Sequence, residues 1–216
     1  GMAVRARYLK KKHKFSYTDF LATLSASYIL IFLVASFLGI VSTLLIYLST
    51  GTFSLILFLI FDVIFLVLLF VVILSPKLPE RKNKWLNRFV QVINGWHLIK
   101  DNRRVVLSVA VLSLVQLLVG ALMLWLQFRV FGIEVSFAAV ILLTSISTLG
   151  IVLSVTPGNL GVNEAIIVFI AATIGITPAE SLSAALLGRA VSLVVLFVLG
   201  PIFSYVLIRK GREHRF

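Results

Sequence analysis

Long apolar runs separated by short polar turns frame this chain. A helix rises 1.5 Å per residue and needs roughly 20 apolar residues to cross a hydrocarbon core about 30 Å thick. Phe20 to Leu48 is long enough to cross with a tilt or with a bend near Gly39. After the uncharged turn Ser49-Thr50-Gly51-Thr52, Phe53 to Leu74 crosses back carrying only Asp62, and Ser75-Pro76 ends it. Val105 to Phe131 predicts the next crossing, and Pro178 to Ile208 the last, with a kink expected at Gly200-Pro201. Between them, Ser136 to Ile176 is apolar but broken by Pro157 to Gly161. The pattern predicts an all-α polytopic membrane helix bundle, a single transmembrane domain over residues 1–216.

Basic residues orient the bundle. They cluster in the start (Arg5, Arg7, Lys10, Lys11, Lys12, Lys14), in the loop 75–104 and in the tail from Arg209. Lys and Arg are retained on the cytoplasmic side, so both termini and this loop are expected there. The span ending at Phe131 then exits outward and the last span enters from outside, which obliges Ser136 to Ile176 to descend and return. From Asn163 to Ile176 the returning limb is about 21 Å at 1.5 Å per residue, short of the core thickness. The expectation is a re-entrant hairpin around Pro157 to Glu164. In the loop, Trp85, Phe89, Val92, Trp96 and Ile99 recur at helical spacing. That predicts an amphipathic helix that either packs on the bundle ends or holds lipid headgroups.

Composition narrows the function classes. Of 216 residues, 60% are hydrophobic and 13% charged, and mean hydropathy is +1.11, an integral membrane composition. The net charge of +12 lies in loops beside apolar spans and not in a basic fold of its own, so nucleic acid is not the expected partner. Anionic lipid headgroups are. With no cysteine, and with His13, His97 and His214 scattered, the sequence offers no metal site and calls for no cofactor. No nucleophile elbow, phosphate loop or dinucleotide fingerprint occurs, so no catalytic residue is assigned.

The polar residues inside the apolar spans carry the functional expectation. An ionisable side chain at membrane depth is expensive and concentrates at functional sites, and broken backbone there must be buried or line a wet cavity. Glu164 and the Pro157-Gly158-Asn159-Leu160-Gly161 break coincide. Counted from Thr177-Pro178, Glu164 lies about 18 Å down the returning limb and Arg189 about 17 Å down the last helix, so the two share a level. Asp62, about 15 Å below the Gly51 turn, and Gln116 extend a polar layer across the bundle. Two readings of the pair stand: a self-neutralising ion pair, with Glu164 in the first turn of a helix capped by Asn163, or part of a site for a phosphate-bearing headgroup or a proton. Asp62 is either protonated and hydrogen-bonded to a neighbour or proton-linked. The N–H groups near Asn163 either bind an anion or are satisfied by their own cap.

Thr156-Pro157-Gly158-Asn159-Leu160-Gly161-Val162-Asn163-Glu164-Ala165 resembles the Pro-Gly-Gly-x-Gly-x-x-Glu signature of the flippase-like transmembrane region of lysylphosphatidylglycerol synthase. Leu187-Gly188-Arg189 with Gly200-Pro201 is similar to that family's last helix, and Val4-Arg5-Ala6-Arg7-Tyr8-Leu9-Lys10-Lys11 to the segment after its first-half Gly-Glu motif. Asn159 replaces the usual second glycine, and asparagine accepts left-handed turns. Met2 stands where the family's acidic residue would fall, so the chain resembles a C-terminal half, completed by a missing N-terminal half or by a second copy. The resemblance implies a plasma-membrane, flippase-like protein that translocates a phospholipid without covalent chemistry, of aminoacyl-phosphatidylglycerol or polyprenyl-phosphate type. Arg189, Arg5 and Asn163 are expected to hold the phosphate, Glu164 and Asp62 to balance charge or couple protons, and Pro157, Gly158 and Gly161 to hinge. The rivals are a scaffold for a lipid-modifying enzyme and an intramembrane lipid or glycosyl transferase.

Overall fold

The computed structural model describes residues 17–51, 53–74, 90, 96–97, 100–153 and 159–213. It is an all-helical bundle: α1 (Tyr17–Thr50), α2 (Leu55–Leu74), α3 (Arg103–Val130), α4 (Phe137–Leu149) continued by a 3-10 turn (Gly150–Leu153), α5 (Val162–Thr173) and α6 (Pro178–Glu213). Among the described residues four stretches are long and apolar enough to cross a membrane: Ala26–Thr50, Leu55–Leu74, Arg103–Val130 and Pro178–Pro201. The apolar run from Ser136 to Ile176 resolves into α4, of 13 residues, and α5, of 12. At 1.5 Å per residue these are about 20 and 18 Å long, so neither alone spans a hydrocarbon core. Residues 154–158, and with them Pro157 and Gly158, lie outside the described residues, as does Arg5.

Small residues let α1 approach its neighbours closely. Its inward stripe holds Ala26, Ala35, Ser36, Ser42 and Thr43, all buried. Gly39 lies directly under the fully buried ring of Phe61 on α2, where a Cβ would overlap the ring. Without a hydrophobic drive between helices in lipid, such packing contributes most of the association. Two of these hydroxyls bond within the helix, Ser36 Oγ donating to the Phe32 carbonyl and Thr43 Oγ1 to that of Gly39, both at 2.8 Å, while Ser42 Oγ is buried without a partner.

Helix ends are set by local chemistry. Asn102 and Ser136 cap α3 and α4, their side chains accepting from the amides of Val105 and Ala139. At α6, Pro178 takes the first helical position while Glu180 Oε2 accepts from the Thr177 amide and hydroxyl, at 2.9 and 2.7 Å. Helix α6 runs through Pro201 without ending. Of the amphipathic loop, Trp96 is described and buried, packed with Ala26, Ile29 and Leu30 of α1 and Val71 of α2. The other apolar positions predicted for that helix lie outside the described residues.

The core centres on α4. It packs against α1 and α3, and α5 in turn lies between α4 and α6. The fully buried Phe61, Phe128, Leu142 and Leu143 fill this region. The short broken pair thus packs against the long apolar helices on one side, and Glu164 at the start of α5 is held inside the bundle.

Candidate functional site

Left-handed backbone builds the approach to α5. Asn159 has φ 57° and Gly161 φ 80°, so the chain turns twice within three residues before the helix starts. The sequence at these positions, asparagine and glycine, tolerates that conformation. The structure corrects the expected cap: the residue before α5 is Gly161, and Asn163 lies inside the first turn. Glycine has no side chain to offer, and the capping contact comes from downstream. The carboxylate of Glu164 reaches back and its Oε2 accepts the Gly161 amide at 2.8 Å. Glu164 thus occupies the positive end of its own helix dipole, which favours, of the two readings of this helix start, the one in which it is satisfied by its own cap.

The other carboxylate oxygen takes Arg189. Glu164 Oε1 accepts from Arg189 Nε at 2.9 Å and lies 2.7 Å from Nη2. Arg189 Nη2 also donates to the Asn159 carbonyl at 3.2 Å. One guanidinium therefore ties α6 to both the turn and the start of α5, and the turn's conformation is fixed from across the bundle. The Glu164 side chain is 10% exposed and that of Arg189 26%. A charge pair this enclosed is stabilised by mutual hydrogen bonding and would be strongly destabilising if halved.

The pair borders a cavity of about 330 Å³ among α3, α4, α5 and α6. Helix α3 presents the stripe Gly120, Leu124 and Gln127, and α4 presents Thr144 and Ser147. Asn163, half-buried, lines it from α5 beside Glu164, while Gly188 and Ser192 flank Arg189 on α6. Two polar atoms in its walls are buried without a hydrogen-bond partner, Ser147 Oγ and Asn159 Oδ1. The site is thus mixed: one neutralised ion pair, several neutral polar groups and an aliphatic remainder.

The structure brings together Glu164, Arg189 and Asn163 and keeps others apart. Asp62 is half-buried on α2 and does not line this cavity. Gln116 is exposed, one turn before Gly120 on the same stripe of α3, so the polar layer does not cross the bundle as expected. Gln127 takes its place at the cavity, and with Ser147 and Gly188 was not assigned a role from sequence. The available signal was the helical spacing of Gly120, Leu124 and Gln127, which puts one polar group on a common face.

With the geometry in hand, residues 1–200 match the family described as the lysylphosphatidylglycerol synthase TM region. The chain belongs to this family. A UPF0104 membrane protein of Methanothermobacter thermautotrophicus is 36% identical over 94 residues, which is 44% of this chain and 28% of that relative. The chain therefore spans under a third of that relative's length. No solved structure matches it. The lysylphosphatidylglycerol synthase-like assignment makes this an integral membrane protein of a lipid-related family.

Proposed function

We propose that the chain binds and translocates a phosphate-bearing phospholipid, with the headgroup passing through the cavity beside Glu164 and Arg189 and the acyl chains remaining in the bilayer. The observation that carries this reading is the enclosed Glu164–Arg189 pair bordering a cavity between apolar helices. A purely structural bundle would gain little from burying two charges, since apolar replacements of such pairs are often neutral or stabilising. A guanidinium matches phosphate geometry, and a carboxylate sharing it lets the charge be returned when the phosphate leaves. Arg189 and Asn163 then hold the phosphate, joined by Arg5 from the basic start. Glu164 balances charge, and Asp62 serves proton coupling from α2. The break from Pro157 to Gly161 acts as the hinge of a re-entrant hairpin, in a plasma-membrane protein with both termini cytoplasmic.

The family name supports a lipid of the aminoacyl-phosphatidylglycerol or polyprenyl-phosphate type, moved without covalent chemistry. A membrane scaffold or partner subunit is the alternative, and it predicts dependence on the basic loop and indifference to the pair. Reconstitution into liposomes with headgroup-labelled phosphatidylglycerol decides between them. Label should cross with the unaltered chain and stop with Glu164→Gln and with Arg189→Ala while both variants still insert. Unchanged crossing in both would remove the pair from the mechanism.

A further inference from the structure

We propose that Gln127, Ser147 and Asn159 form a neutral subsite beside the ion pair that reads hydroxyl groups on a phospholipid headgroup. The inference rests on the lipid-handling reading of the same cavity. The carboxamide of Gln127 lies against Gly188, where an added Cβ would sit 2.7 Å from both its Nε2 and its Oε1. That places the amide beside the residue preceding Arg189, and only glycine leaves it room. The side chain of Gln127 makes no hydrogen bond to the described residues. Ser147 Oγ and Asn159 Oδ1, in the walls of the same cavity, are buried and unpartnered. Buried polar atoms are bonded in the great majority of cases, so two unpartnered ones in the walls of one cavity that also holds the Gln127 amide point to a ligand that completes them.

The donor and acceptor inventory selects the ligand. Glu164 and Arg189 compensate each other, leaving amides and hydroxyls as the groups to be matched. Asn159 Oδ1 can only accept, while Gln127 and Ser147 both donate and accept. A hydroxyl does both and suits all three. A quaternary ammonium donates to none of them, and a fully ionised phosphate has no proton to give Asn159 Oδ1. The volume, about 330 Å³, is near the lower end of small-molecule sites, about 300 Å³. It suits a polyol headgroup whose chains stay outside.

Binding of two lipids with the same phosphodiester charge tests this. Phosphatidylglycerol carries two headgroup hydroxyls and phosphatidylmethanol none. Native mass spectrometry of the purified chain should show phosphatidylglycerol preferred by roughly tenfold, the scale of one or two well-made hydrogen bonds. The preference should fall toward parity in Gln127→Leu, in Ser147→Ala and in Gly188→Ala. In the last, the three atoms nearest the new methyl all belong to the flexible end of Gln127, so the amide is what gives way. Equal binding by the unaltered chain, or a preference intact in all three variants, overturns the subsite. So does competition by glycerophosphoglycerol at concentrations matching the lipid, which would assign the subsite to a water-soluble polyol. A retained preference with no translocation of either lipid would instead sink the transport reading and leave the subsite standing.

Discussion

Replacing Glu164 and Arg189 singly and together separates what the pair does for folding from what it does for function. In Arg189→Met the Glu164 side chain, 10% exposed, loses both contacts to Oε1 and keeps backbone amides at the helix start, Gly161 at 2.8 Å among them. A buried charge stripped of its partner costs about 3–5 kcal/mol. Glu164→Met leaves Arg189 with the Asn159 carbonyl and with access to the cavity, since its side chain is 26% exposed. Its charge penalty is therefore nearer the lower bound, about 3 kcal/mol, with about 1 kcal/mol more for the lost contact at the helix start. The double Met variant strands no charge but loses that contact and the Arg189 bond to the Asn159 carbonyl, so it should lie within about 2–3 kcal/mol of the unaltered chain. Equilibrium unfolding in mixed micelles with rising dodecyl sulfate measures all four corners of the cycle. The expected result is a double variant more stable than either single one but silent in lipid translocation. Two outcomes would refute the reasoning: single variants as stable as the double, which would mean the charges are not coupled, and a translocating double variant, which would mean they are not needed.

Two further substitutions probe the frame that holds the site. Gly39→Ala forces a methyl into the fully buried Phe61 ring, and should cost about 1–3 kcal/mol in the same unfolding assay. Phe61→Leu in the same chain should recover part of that loss, and no recovery would show that the α1–α2 contact is not the cause. Glu180→Ala removes the acceptor for the Thr177 amide and hydroxyl at the start of α6. It should lower the unfolding midpoint slightly while leaving the phosphatidylglycerol preference unchanged, because Glu180 does not line the cavity.

Several features of the site were legible before any coordinates. Apolar run lengths identify the crossings because the bilayer imposes a minimum length and a polarity ceiling on any spanning helix. Counting residues from the shared Thr177-Pro178 turn put Glu164 and Arg189 at one level, and the structure has them 2.7 Å apart. The count works there because both helices leave the same turn, so their depths share an origin. Asn159 at φ 57° likewise follows from residue type, as asparagine is among the few that tolerate that conformation.

The same counting fails where helices have different origins and tilts. Gln127 lies only four residues before Phe131, about 6 Å along α3, yet its amide touches Gly188, about 15 Å into α6. Linear depth favoured Gln116, which the packing of α3 leaves exposed. The cap of α5 was misplaced for a related reason: the contact is made by a side chain reaching back to the Gly161 amide, and which residue reaches is decided by where Arg189 holds the carboxylate. By itself the sequence determined the helical membrane architecture, the polar break and the meeting of two charges, since these depend on length, polarity and a common turn. The cavity, its neutral wall and the exclusion of Asp62 and Gln116 from it were decided only by tertiary structure, because they depend on how helices cross and which faces they turn to one another.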